Sequence, residues 1–230
     1  MKSFYKLSAA LAITMVVYSI ITIISIGLFG AQPETAAEAF AMLKENLWVG
    51  VLRLDLLTIL IMPLYYVFII AFCVAMKPGR NIYLLLAALL GICGNNLFLA
   101  TPSVFSWLDL FKTFQVTTDA ATRTQLISAG EILLASDMWH GSGAQLGGVL
   151  LQTSMTVFSV LMLKSQSFSR WTAWSGIVVN GVDLLHILVA FFAPTIGTTI
   201  FFIAGPLYFV WYPLMARDFI QLAKLENGIN

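Results

Sequence analysis

Asp183 and His186 stand three residues apart within the apolar run Val178–Ala190. On a helix that spacing puts both side chains on one face. There a carboxylate can fix the tautomer of an imidazole or share its proton. The other histidine of the chain is His140, and Arg53, Asp55, Asn95, Asn96, Gln145, Gln152 and Asn180 also lie in or beside apolar runs. Three chemistries could draw on this set. A metal needs three or four ligands, which His140, Asp183 and His186 with Glu131 or Asp55 would supply if they converge. The chain has no H-E-x-x-H and no histidine cluster. A haem between His140 and His186 is a weaker version of the same idea, because His140 falls at a helix mouth. Acid–base work on a lipidic substrate would use Asp55, Glu131 and Asp183. Each group also has a structural reading. Arg53 and Asp55 could be an interfacial pair with Arg53 snorkelling. Asn95 and Asn96 could stitch helices together, and Asp183 with His186 could be a buried pair. No GxSxG, phosphate-binding loop or dinucleotide fingerprint lies in a suitable context, so no cofactor is assigned.

The elements that must position these residues follow from composition. Of the 230 residues, 60% are hydrophobic and 10% charged, against about 25% charged in a soluble domain. About 20 apolar residues cross a bilayer core, and six such stretches occur. They are centred on residues 7–30, 50–76, 81–101, 142–164, 170–193 and 196–216. The expected fold is all-α: a polytopic membrane bundle of six transmembrane helices, one domain, with short interfacial helices on the outer side. Pro63, Pro206 and Pro213 predict kinks in the second and sixth helices. The first run is longer than the roughly 7–15 apolar residues of a signal peptide and is expected to be retained. The segment 34–48 places Phe40, Leu43 and Leu47 at helical spacing and predicts a helix lying on the membrane surface. Within 103–141, Val104, Trp107, Leu108 and Phe111 form one apolar stripe. A second helix there is expected to start at Asp119, whose carboxylate can cap it. Cys73 and Cys93 lie in apolar runs and read as small core residues. A net charge of +1 offers no basic surface for nucleic acid.

Orientation follows from lysine and arginine. With the N-terminus inside, Lys2, Lys6, Lys77, Arg80, Lys164, Arg170, Arg217 and Lys224 are cytoplasmic. The opposite segments hold Lys44, Lys112 and Arg123, with Arg53 inside the second span. Both termini are therefore expected in the cytoplasm. In that topology Arg53 and Asp55 sit roughly 5–9 Å below the outer boundary at 1.5 Å per residue. Asn95, Asn96, Gln145, Asn180, Asp183 and His186 are drawn to the same outer half, and the inner half has nothing comparable. The expectation is an outward-facing polar pocket of Arg53, Asp55, Asn95, Asn96, Glu131, Asn180, Asp183 and His186, with Glu131 and Asp137 at its rim. It would bind a small or lipid-like ligand. A membrane-embedded, metal-dependent enzyme using His140, Asp183, His186 and Glu131 is the alternative. An accessory or sensor subunit of a membrane complex is a third reading.

Three stretches carry a family resemblance. They are SAGEILLA (Ser128–Ala135), the Met-Leu-Lys-Ser turn (Met162–Ser165) and the Arg-Trp-Thr-Ala-Trp-x-Gly start of the fifth helix (Arg170–Gly176). The chain closes on PLYFVWYPLMARDF (Pro206–Phe219). Together they resemble the bacterial six-helix membrane family called domain of unknown function 4386, clearly over somewhat under half the chain. The resemblance implies the same six-helix topology in a bacterial inner membrane, and no activity. Of the polar set, Glu131 alone belongs to the family's clearest motif.

Overall fold

The computed structural model describes residues 1–76 and 81–226. Lys77 and Arg80, used above for orientation, lie outside the described residues. All regular structure among the described residues is α-helical. The order is α1 (Lys2–Phe29), α2 (Ala36–Glu45), α3 (Leu47–Arg53), α4 (Leu56–Ile61), α5 (Leu64–Met76), α6 (Ile82–Leu99), α7 (Val104–Val116), α8 (Ala120–Ala135), α9 (Ser142–Met162), α10 (Arg170–Ala190) and α11 (Pro194–Leu225). Six stretches are long and apolar enough to cross a membrane: Lys2–Phe29, Leu56–Met76, Ile82–Val116, Ser142–Met162, Arg170–Ala190 and Pro194–Leu225. Within the third, α6 is the crossing, and Thr101-Pro102 separates it from α7. Large apolar side chains on these helices remain exposed, among them Ile23, Leu89, Leu188 and Phe202. Lipid, which is as apolar as they are, is their matching solvent.

The contacts divide the chain into two compact units, Met1–Ile20 with Pro63–Asn96 and Gly147–Asn230, and Ile21–Met62 with Leu97–Leu146. The first unit packs helices through small residues, as bilayer helices do where backbones must approach closely. A Cβ on Gly94 of α6 would come within 2.6 Å of the Gly147 carbonyl oxygen and the Leu151 nitrogen of α9. Seven residues before Gly94, the Ala87 carbonyl accepts the Ser154 hydroxyl at 2.6 Å, tying the same two helices. A Cβ on Gly176 of α10 would meet Ser159 Oγ and Trp211 Nε1. Around these contacts Phe68, Phe72, Phe158 and Phe219 form a fully buried aromatic core.

The second unit has a core of its own. Thr35 caps α2 by accepting the Glu38 N–H, and Asn46 both ends α2 and caps α3. Asp119 accepts the Thr122 N–H at 2.7 Å, the cap expected for α8. That bond and the one from the Thr122 hydroxyl hold its carboxyl below the usual range. The apolar face of α2 differs from its expected role. Phe40 and Leu43 are buried among Val104, Trp107 and Phe111. Phe40 stacks on Phe114 at 4.4 Å and meets Trp107 edge-on. Phe40 and Leu43 thus find their partners on α7, while Leu47 stays exposed. Sequence periodicity gives the stripe but not the partner.

Two spans also depart from expectation. The second does not run unbroken from residue 50. Its chain is interrupted at Leu54–Asp55 and again at Pro63, whose ring leaves no N–H for a helix bond, so the crossing is Leu56–Met76. The last helix continues through Pro206 and Pro213 to Leu225, well past residue 216. The close approach at Gly94 predicts that Gly94→Val destabilises the protein by roughly 1–3 kcal/mol, the usual cost of overpacking. Gly181→Ala, where a Cβ meets nothing within 4 Å, should leave detergent-solubilised Tm unchanged or slightly raised.

Candidate functional site

In the second unit Asp55 occupies the break between α3 and α4 with φ 72° and ψ 17°. It is the one non-glycine residue with positive φ among the described residues. Asp tolerates this left-handed region better than most residues because its short side chain bonds locally or across a turn. Here the bonds go across. Gln32 Nε2 donates to Asp55 Oδ1 at 2.7 Å, and the Trp139 indole N–H donates to the same oxygen. Gln32 lies three residues beyond the end of α1, and Asp55 immediately precedes the Leu56–Met76 span. The carboxyl therefore falls just before the second crossing as its helix bounds define it. Burial pushes it up to about 7, against the lowering effect of the Trp139 bond. Arg53 is 5% exposed, and its Nε has no hydrogen-bond partner. A small cavity is lined by Gln32, Pro33, Arg53, Asp55, Asp137 and His140. Asp137 Oδ1 accepts from the backbone N–H groups of Trp139 and His140 and contacts His140 Nδ1 at 3.0 Å. It shapes the turn that presents Trp139 to Asp55.

Gln32 has a second exposure. Together with Pro33 it lines an open cleft of about 840 Å³. The apolar lining includes Phe29, Met42 and Val49, and the polar lining includes Glu34, Glu38, Glu45 and Asn46. No basic side chain is among the lining residues. Glu131 takes no part in this cleft. Its Oε1 accepts the Ala36 N–H at 2.9 Å, so it ties the first turn of α2 to α8.

The first unit holds a separate network. Asp183 Oδ2 accepts from Gln152 Nε2 at 2.6 Å and from the Tyr208 hydroxyl at 2.8 Å. Tyr208 stacks on Tyr212, and the hydroxyls of Tyr212 and Tyr65 lie 3.0 Å apart. His186 does not bond to Asp183. Its Nδ1 lies 2.9 Å from the Gly197 carbonyl oxygen and its ring 5.2 Å from that of Phe201. Asn180 turns back on its own helix, donating to the Gly176 carbonyl at 2.7 Å. Asn96 accepts from the Tyr66 hydroxyl. Asn95 is fully buried, with neither amide atom partnered, so it stitches nothing by hydrogen bonding.

The candidate residues thus divide. Arg53, Asp55 and Glu131 belong to the second unit, and Asn95, Asn96, Asn180, Asp183 and His186 to the first. His140 belongs to the second unit. Among the described residues no three His, Cys, Asp or Glu side chains group as a metal would require. Sequence reasoning also missed a cluster near the start of α10. Asp218 Oδ2 accepts the Ser169 N–H at 2.8 Å and the Thr172 hydroxyl at 2.5 Å, while Oδ1 takes Arg217 Nε at 3.1 Å and a second Arg217 nitrogen at 3.0 Å. Just past residue 216, the end expected for the sixth crossing, the protein thus holds a buried carboxylate, fully paired. Ser169 and Thr172, at capping spacing before an apolar run, were the available signal. The tyrosine hydroxyls around Asp183 had none, because an apolar run disguises them as core aromatics.

Among the described residues, six helices long and apolar enough to cross a bilayer make this a multi-pass α-helical membrane protein. No family model, no characterised protein and no solved structure matches the chain.

The raised Asp55 carboxyl makes stability pH-dependent with a definite sign. Its folded value lies above the ordinary 3.8, so the folded state binds the proton more tightly than the unfolded chain. The contribution is complete at acid pH and is lost as pH rises through about 7. Thermal unfolding in detergent should show Tm falling from about pH 5 to about pH 8. In Asp55→Asn, which keeps an acceptor for Gln32 and Trp139, that slope should flatten.

Proposed function

We propose that this chain is a bacterial inner-membrane protein with cytoplasmic termini whose second unit binds a small, lipid-like ligand in the cleft at Gln32. The SAGEILLA and RWTAWSG motifs support placing it with domain of unknown function 4386. The orientation rests on the basic residues of the short connections. The cleft is the observation that carries the binding reading. Its volume of about 840 Å³ suits a small organic molecule. Phe29, Met42 and Val49 offer surface to an alkyl or prenyl chain. Glu34, Glu38 and Glu45 offer carboxylates to its head, uncompensated by any cation in the lining. The fitting ligand is an amphiphile with an amine-bearing head group. Gln32 joins the cleft to the strained Asp55, so occupancy of the cleft bears on the unit's least relaxed backbone.

Purified full-length protein in detergent tests this. Phosphatidylethanolamine should raise Tm more than phosphatidylglycerol of the same chains. At a hundredfold excess over Kd the gain is about 2.7 kcal/mol. The preference should vanish in the triple variant Glu34→Gln, Glu38→Gln, Glu45→Gln. Equal stabilisation by both lipids, unchanged in the triple variant, would refute the reading. Topology has its own check in a background with Cys73→Ser and Cys93→Ser. In intact cells an impermeant thiol reagent should label Lys112→Cys and spare Gln166→Cys; the reverse pattern inverts the orientation.

A further inference from the structure

We propose that Asp183 is an intramembrane proton-binding site, loaded and unloaded through His186 from the side of the membrane where α10 ends. Asp183 lies roughly 10 Å, and His186 roughly 6 Å, from the Ala190 end of the helix at 1.5 Å per residue. A carboxyl at that depth is costly to keep and marks a function by default. Its surroundings are specific. Gln152 and Tyr208 both donate to Oδ2, which leaves Oδ1 without a described partner. The two donors orient the carboxyl and hold its ionised form, while the other oxygen stays open to take a proton. No lysine, arginine or second carboxylate bonds to it among the described residues. The titratable groups around it are Tyr208 and Tyr212 of α11, Tyr65 of α5 and His186 of its own helix. A structural ion pair would pin the carboxylate in one charge state, and none is present.

His186 supplies the second half of the argument. A carbonyl oxygen can only accept, so the contact with Gly197 puts the hydrogen of the neutral ring on Nδ1. Nε2 is then the basic nitrogen, free of described partners, on the helix face that Asp183 shares. The sequence of events balances without any co-reactant. Nε2 takes a proton from water, the imidazolium passes one to Asp183 Oδ1, and the neutral ring is restored. Release runs the same steps backward. The O–H bond is the one bond made and broken at Asp183. This site lies in the first unit and does not depend on the cleft reading.

Full-length protein reconstituted in phosphatidylcholine vesicles provides the test. Infrared difference spectra across about pH 4 to about pH 10, which brackets ordinary carboxyl and histidine values, should show a protonated-carboxyl band rising with acid. Dicyclohexylcarbodiimide, which reaches protonated carboxyls from the lipid phase, should modify the Asp183 peptide with the same pH dependence. Asp183→Asn should lose both signals. Tyr208→Phe removes only a hydroxyl and should move the midpoint by about one pH unit. His186→Gln should keep the midpoint and slow the response to a pH jump about tenfold or more. If wild type shows no titrating band and pH-independent labelling, Asp183 is structural and the proposal fails. A His186→Gln variant as fast as wild type removes His186 from the path.

Discussion

A polar atom inside hydrocarbon has no water to turn to, and each one left unpaired costs free energy on the order of a kcal/mol or more. The first unit is organised around that constraint. Ser154 gives its hydroxyl to the Ala87 carbonyl, Asn180 donates its side-chain amide to the Gly176 carbonyl of its own helix, Tyr65 pairs with Tyr212, and Asp183 collects Gln152 and Tyr208. These bonds require backbones to come close, which is why Gly94 and Gly176 sit where a Cβ would strike a neighbour. Small residues and polar pairs are thus one device. The glycines bring the helices within reach, and the hydroxyls and amides use the reach.

The second unit solves a different problem. Its helices α2 and α7 each have one polar and one apolar face, so they gain by burying the apolar faces on one another. Phe40, Trp107, Phe111 and Phe114 do so, and burying a side chain of that size is worth on the order of 2 kcal/mol. Capping residues Thr35, Asn46 and Asp119 end the helices cleanly. Against this relaxed background Asp55 stands apart, with left-handed backbone, a raised carboxyl and bonds from Gln32 and Trp139. Residues held in sparsely populated backbone regions cost about 1–3 kcal/mol and persist where the surroundings over-determine them.

Paired carboxyls in this protein divide by the charge of their partners. Asp218 is held by the Arg217 guanidinium as well as by Ser169 and Thr172, and its charge is answered permanently. Asp183 is held by neutral donors on one oxygen. A cation fixes a charge state, whereas neutral donors orient a carboxyl without fixing it. Asp183 lies within the Arg170–Ala190 crossing, whereas Asp218 adjoins Arg217 toward the end of α11.

Periodicity and hydropathy alone determined the all-α fold and the existence of six apolar crossings. They also gave the helices within 34–48 and 103–141, down to the Asp119 cap. These depend on composition over a helical turn or a bilayer width, quantities local to the chain. Sequence also singled out Asp55 and Asp183, because a charge in an apolar run is conspicuous anywhere. What it could not supply was the partner. Asp183 and His186 share a face, yet His186 turns to Gly197 and Asp183 to Gln152 and Tyr208. Nothing in the sequence points Trp139 to a partner, yet it gives its N–H to Asp55. Glu131 reads as a pocket residue and is a tie to α2. A helical wheel fixes spacing to a fraction of a turn, while a hydrogen bond is decided within a few tenths of an ångström. Only the packing of distant helices sets that distance.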